Sequence, residues 1–348
     1  MKKEIKIIFW GSDLFSISVL EEIIKNNLPI SAVITIPDTP QGRSLKLTPP
    51  AIVDWSQEKG IKCYQISDFD SFNWNIFQPF ENNLFIVASY GRRIPETILT
   101  KAGLGALNIH PSLLPKYRGP TPIQSAILNQ ETISGVTLML LDEKIDHGPI
   151  IKQKEINIID KSYEELISQM GKIGGRLILE NLENYLNIVP RGKPFGKLPS
   201  ARSGQGRTSH AVLDYISSLA QKYKNKVFVF YSLYVANKKI SLQPQNHSLA
   251  TYTKKITPAD GYLNLESNYQ ELKSKILALH PKPGTFFIVN DDGKDVRIRI
   301  NQAEIKDNQI IIKKITPAGK KEMSGKNFLN WLNNKKIDFK TASFVKFL

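Results

Sequence analysis

Asn108 and His110 stand two residues apart at the end of an apolar run, and an acid, Asp146, follows further along the chain. Side chains alternate along an extended strand, so the amide and the imidazole project from one face. In open α/β sheets ligands bind beyond the carboxyl ends of the strands, which puts both groups at the crevice, aimed at one oxygen. Asp146 lies in LLDEKIDHGPI (140–150), a Gly-flanked turn after the strand-like run SGVTLMLLDE, and so emerges at the same edge. An amide donor, an imidazole and a carboxylate, with no suitably placed serine or cysteine, describe transfer of a carbonyl group without a covalent enzyme intermediate. The substrate must then bring the nucleophile.

The elements that hold these residues are legible as short apolar runs, IKIIFWG, ISAVITIP, NLFIVASYG and GALNIH, alternating with helix-like segments such as DLFSISVLEEIIKNN. That alternation predicts an α/β domain built on a mostly parallel, Rossmann-like sheet. The first strand ends at Gly11 but lacks the second and third glycines of a dinucleotide fingerprint, which argues against a nicotinamide cofactor. Residues 163–187 space Leu166, Met170, Ile173, Leu177 and Leu182 as one helical face, and close packing accounts for Gly171, Gly174 and Gly175. Residues 190–209 are rich in Pro, Gly, Ser and Arg and read as a linker. Beyond residue 255 come short strands and a helix at 269–279, the pattern of a small β-barrel. The expected division is a catalytic domain over 1–188, a basic linker over 189–250 and a barrel domain over 251–348.

With 348 residues, 41% of them hydrophobic, the chain is long enough for two cores. Its 47 Lys and Arg against 32 Asp and Glu give a net charge of +15. The excess is uneven: residues 1–188 carry −2, 189–250 carry +9 and 251–348 carry +8. A neutral first half beside a basic second half fits a catalytic body with a face for nucleic acid. The single cysteine, Cys63, excludes an internal disulfide or a thiolate zinc cluster and fits a reducing compartment. No stretch approaches the roughly 18 apolar residues of a membrane span. The expectation is a cytoplasmic protein without a membrane or metal partner.

At NIHPSLLPKYRG the chain resembles the folate-dependent formyltransferase family, on the branch that acts on methionyl-tRNA. The family's Asn-x-His, SLLP and RG appear as Asn108, His110, Ser112 to Pro115, Arg118 and Gly119, and its later Asp is matched by Asp146. Further blocks match: PDTPQGRSLKLTPPAIV at 37–53, PIQSAI at 122–127, TYTKKITPADG at 251–261 and PAGKKEMSG at 317–325. The resemblance implies transfer of the formyl group of 10-formyltetrahydrofolate to the α-amine of initiator methionyl-tRNA. It implies a Rossmann-like catalytic domain and a C-terminal OB-like β-barrel that contacts tRNA. Asn108 and His110 would then steady charge on the formyl oxygen, while Asp146 orients the imidazole and takes the amine's proton. Ser112, Leu113, Leu114 and Pro115 would hold the folate by an apolar wall and freed backbone groups. Arg43 and Lys46 would meet the acceptor stem of the tRNA. Monomer is the default oligomeric state.

Other residues carry blander readings. His147 is given no role, and His210, His247 and His280 read as satisfied surface or core histidines. Cys63 reads as a small apolar residue. Lys116 and Arg118 are either solvated charges or ligand-facing. Three features depart from the family: the long stretch over 190–240, the pair Arg92 and Arg93, and the bulky Trp10, which bears on the packing of the folate pocket. Two rival functions remain. One is a formyltransferase acting on an amino sugar or a ribonucleotide amine, and the other is a non-catalytic RNA-binding protein.

Overall fold

Short β-branched runs at the start of the chain become strands because both of their faces are buried, which is how a parallel sheet reads in sequence. A computed structural model describes residues 5–41, 45–142, 144–188 and 242–348. Arg43, His210 and the long stretch over 190–240 lie outside the described residues. The main sheet comprises β1 (Lys6–Trp10), β2 (Ala32–Thr35), β5 (Cys63–Gln65), β6 (Asn83–Val87), β7 (Ala106–His110), β8 (Ile133–Leu140) and β9 (Ile150–Asn157). Its order is β5-β2-β1-β6-β7-β8-β9. The first five strands pair in parallel, and β8 runs antiparallel to β7 with Asn108 opposite Met139 and His110 opposite Thr137.

Helix α1 (Leu14–Lys25) starts at a capping box, Asp13 accepting from the Ser16 backbone and the Ser16 side chain accepting in return from the Asp13 N–H. Helix α2 (Ala51–Glu58) follows a hairpin of β3 (Thr39–Gln41) and β4 (Lys46–Thr48), and α3 (Glu96–Leu99) is a single turn. The long helix α5 (Tyr163–Ile188) covers the stretch expected to be helical. Its glycines are there for space: a Cβ on Gly174 would sit 2.5 Å from Ile109 Cγ2, and one on Gly175 would sit 2.7 Å from Glu22 Cβ. The helix therefore approaches α1 and β7 closely, bracing the strand that carries Asn108 and His110.

Trp10, at the end of β1, is fully buried. It stacks on Trp74 at 5.9 Å and meets Tyr90 edge-on at 5.1 Å, within a core that includes Ile34, Phe85 and Ile98. The bulky residue that set the folate pocket in question thus anchors an aromatic core.

The chain forms two compact units: Met1–Gly119, Gly135–Glu155 and Ile167–Tyr252, and Pro120–Ser134, Ile156–Leu166 and Thr253–Leu348. In the second unit β10 (Thr285–Asp291), β11 (Lys294–Lys306), β12 (Gln309–Pro317), β13 (Met323–Ser324) and β14 (Val345–Phe347) make a five-stranded sheet. Two tight turns set its register, Asp292-Gly293 and Asp307-Asn308, with all four residues at positive φ as right-twisting hairpins require. β13 and β14 pair with different segments of β12, giving the curled sheet of an OB-like half-barrel. Helices α6 (Tyr269–Leu279) and α7 (Gly325–Lys335) contribute Leu272, Ile276, Phe328 and Leu332 to its core, and α4 (Pro122–Leu128) packs on α6.

Candidate active site

Strand β7 is buried along its whole length, yet its sequence, ALNIH, has polar side chains at alternate positions. Asn108 is 9% and His110 5% exposed, so neither is there for solvation. Burying such groups is costly unless they find partners. The partner is Asp146: Asn108 Nδ2 donates to its Oδ1 at 3.3 Å, and His110 Nδ1 lies 3.5 Å from the same oxygen. The three residues expected to do chemistry converge.

The remaining bonds show what each group has left to give. His110 Nε2 stands 2.9 Å from the Tyr117 carbonyl oxygen, which only accepts, so Nε2 carries a hydrogen. Nδ1, on the other side of the ring, faces the Asp146 carboxylate. Oδ2 of Asp146 accepts the Gly119 N–H at 2.8 Å. Tyr117 and Asp146 both hold left-handed backbone, φ 61° and 49°, uncommon for residues with side chains and typical of functional turns.

The loop after β7 is held rigidly from within. Thr137 Oγ1 donates to Ser112 O at 2.6 Å and accepts from Leu114 N at 3.2 Å, while Gln153 Nε2 donates to Leu114 O at 2.9 Å. The carbonyls of Leu113 and Pro115 accept from Lys116 N and Thr251 N. Each carbonyl over Ser112–Pro115 is thus already engaged in shaping the loop. What the segment offers a flat ligand is chiefly its apolar side: Leu114 is buried beside Met139 and Ile150, and Leu113 is half-buried.

Arg118 is neither solvated nor ligand-facing. It is 1% exposed, with Nη2 donating to Gln245 Oε1 at 2.6 Å, Nη1 to the Tyr252 hydroxyl at 3.2 Å, and its guanidinium 5.8 Å from the Tyr252 ring. Nη2 also lies 2.9 Å from His247 Nδ1. His247 stacks on His147, centroids 3.9 Å apart and planes 8° apart, and His147 Nδ1 donates to Asp142 Oδ2 at 2.6 Å. Burial first, then His147 and the Arg118 cation, hold the His247 imidazole below its ordinary range. Two histidines without a sequence motif are therefore joined beside the Asp146 turn.

Arg92 and Arg93 are both exposed, but Arg92 gives its Nη1 to the carbonyls of Ile66 and Ser67 at 2.8 and 3.0 Å and lies 5.0 Å over the Phe69 ring, so it ties a loop to the core. Lys46 is exposed at the start of β4. Burial pushes the Tyr90 hydroxyl up to about 12, and it has no hydrogen-bond partner among the described residues. Gln245 and the Tyr117 carbonyl belong to the site and left no signal in the sequence. Neither forms a motif, and Gln245 stands 99 residues from Asp146.

A model of the formyl transferase family matches residues 3–181. The chain belongs to the formyl transferase family. Among relatives of this formyltransferase, the methionyl-tRNA formyltransferase of Nitratidesulfovibrio vulgaris is 28% identical over 93% of this chain and 92% of its own. That of Dictyoglomus thermophilum is also 28% identical, over 96% and 98%. Solved structures share the fold at lower identity. A 4-N formyltransferase from Francisella tularensis has a TM-score of 0.52 at 16% identity, over 83% of this chain and 94% of its own. An N-formyltransferase from Helicobacter canadensis, solved with folinic acid and dTDP-3-aminofucose, has 0.50 at 17%, over 87% and 89%. Among the described residues no helix is long and apolar enough to cross a membrane.

Proposed function

We propose that this formyltransferase moves the formyl group of 10-formyltetrahydrofolate to the α-amine of methionine carried on initiator tRNA. The observation that carries the reading is the convergence of Asn108, His110 and Asp146 at the carboxyl end of β7. Relatives named for methionyl-tRNA match 93% and 96% of the chain, whereas the neighbour solved with an aminosugar nucleotide shares the fold alone.

The donor set suits the folate. Leu113 and Leu114 offer an apolar wall beside the polar groups of β7, and Ser112 to Pro115 would hold the pteridine there. When bound, the folate supplies an electrophilic formyl carbon. Asn108 has a second amide hydrogen beyond the one given to Asp146, and it steadies the negative charge gathering on the formyl oxygen. His110 serves as the second donor by releasing the Tyr117 carbonyl from Nε2. Asp146 orients the imidazole and takes the proton that the amine sheds. Arg43 and Lys46 bind tRNA phosphates, which need reach and charge rather than a fixed fork. The division proposed is residues 1–188 as the catalytic domain, 189–250 as a linker whose end, from Gln243 on, is bonded into that domain, and 251–348 as the tRNA-facing domain.

Incubating the enzyme with 10-formyltetrahydrofolate and either charged initiator tRNA or nucleotide-linked amino sugars tests the reading. Formylation of the tRNA alone is expected. Formylation of the sugar amine, or tight tRNA binding without turnover, would replace it.

A further inference from the structure

A carboxylate that shuttles a proton must be held against rotation, because a misplacement of about 1 Å can cost a hundredfold in rate. Asp146 is held at both of its ends. Its side chain is fixed by the Gly119 N–H, and its main-chain carbonyl accepts from Gln245 Nε2 at 3.0 Å. The second hydrogen of that amide goes to Gly148 O at 2.8 Å. Gln245 Oε1 in turn takes two hydrogens from Arg118, Nη2 at 2.6 Å and Nε at 3.2 Å. A flipped amide would set its NH2 against the guanidinium, so the orientation is dictated by the partners themselves.

The bonds close into a ring. Arg118 is joined covalently to Gly119, Gly119 holds the Asp146 carboxylate, Gln245 holds the Asp146 carbonyl, and Arg118 holds Gln245. Gln245 is 5% exposed and Arg118 1%, so water does not substitute for either bond. The segment bearing Gln245 is stitched down on both sides. Gln243 exchanges two backbone bonds with Ile150 at 2.8 Å, and Thr251 accepts from Arg118 N at 2.9 Å and, through Oγ1, from Tyr117 N at 2.8 Å.

We infer that Gln245 is a positioning residue for the transfer step: through its amide it sets the rotation of Asp146, and through Arg118 it couples that turn to the loop carrying Gly119. The inference rests on Asp146 acting as proposed above.

The test uses the full-length enzyme. Gln245→Glu keeps an acceptor for Arg118 but opposes a carboxylate to the carbonyls of Asp146 and Gly148. Gln245→Ala removes the amide and leaves room for water at Arg118, so it serves if the first variant does not fold. With melting temperature near wild type, kcat falls roughly tenfold to a hundredfold while KM for both substrates stays within about twofold. In an Asp146→Asn background the same change has less than about twofold further effect, since both act on one group. Wild-type kcat in the Gln245 variants, beside an Asp146→Asn enzyme that is strongly but measurably slowed, overturns the inference alone. A multiplicative loss in that background overturns it in favour of general support of the fold. Wild-type kcat in Asp146→Asn itself overturns the role of Asp146, and the inference with it.

Discussion

Asn108 and Asp146 lie 38 residues apart in sequence and meet through a single bond, the amide Nδ2–H to the carboxylate Oδ1 at 3.3 Å. Only one amide hydrogen is spent, and an oxygen between Asn108 and His110 would take the other. Asn108→Ala and His110→Ala should each lower kcat by about 10² to 10³, the usual cost of an oxyanion donor, while tRNA affinity stays unchanged. Single-turnover formylation beside filter binding measures both. Lost affinity with intact turnover would contradict these roles.

Arg43 is expected to act on the other parameter. Lys46, three residues further along the chain, is exposed at the start of β4, and the charge of the two side chains should serve recruitment. Arg43→Leu should raise the apparent KM for tRNA several-fold, weaken its dependence on salt, and leave KM for the folate and kcat alone. An unchanged KM for tRNA counts against the hairpin as a contact.

His247 titrates below the ordinary imidazole value of about 6.5, because burial, His147 and Arg118 all oppose its charge. Its folded form binds a proton less readily than the unfolded chain does. Stability therefore drops as pH falls through the unfolded value toward the depressed folded one, and is untouched above it. An NMR titration of the His247 ring should show the depressed midpoint, and His147→Asn should move it upward. A midpoint at the ordinary value would mean that the stacked pair does not persist in solution.

Gly175→Ala should destabilise the protein, although alanine is the better helix former by about 1 kcal/mol. The new Cβ would stand 2.7 Å from Glu22 Cβ and 2.9 Å from Val19 O, and overpacking of this kind costs about 1 to 3 kcal/mol. A thermal melt should shift downward. A rise would show that α5 can withdraw from α1 without penalty.

By itself the sequence determined whatever depends on neighbours along the chain. Polar residues at alternate positions of the otherwise apolar run ALNIH marked a buried strand with a task, because such burial is costly without one. The periodicity of residues 163–187, the Asp-Gly and Asp-Asn turns of the second unit and the alternation of strands and helices are local in the same way. What the long path of the chain brings together was decided only by the tertiary structure. Arg118 read as either solvated or ligand-facing, yet it is buried against Gln245, which is 127 residues away. Arg92 found the backbone carbonyls of Ile66 and Ser67, and Trp10 found an aromatic core. The physical reason is that a hydrogen bond depends on where two groups stop in space, within a few tenths of an ångström, and no pattern of types along one segment encodes the position of another. The sequence could supply an amide, an imidazole and an acid, whereas the direction in which Asp146 points depends on Gly119 and Gln245.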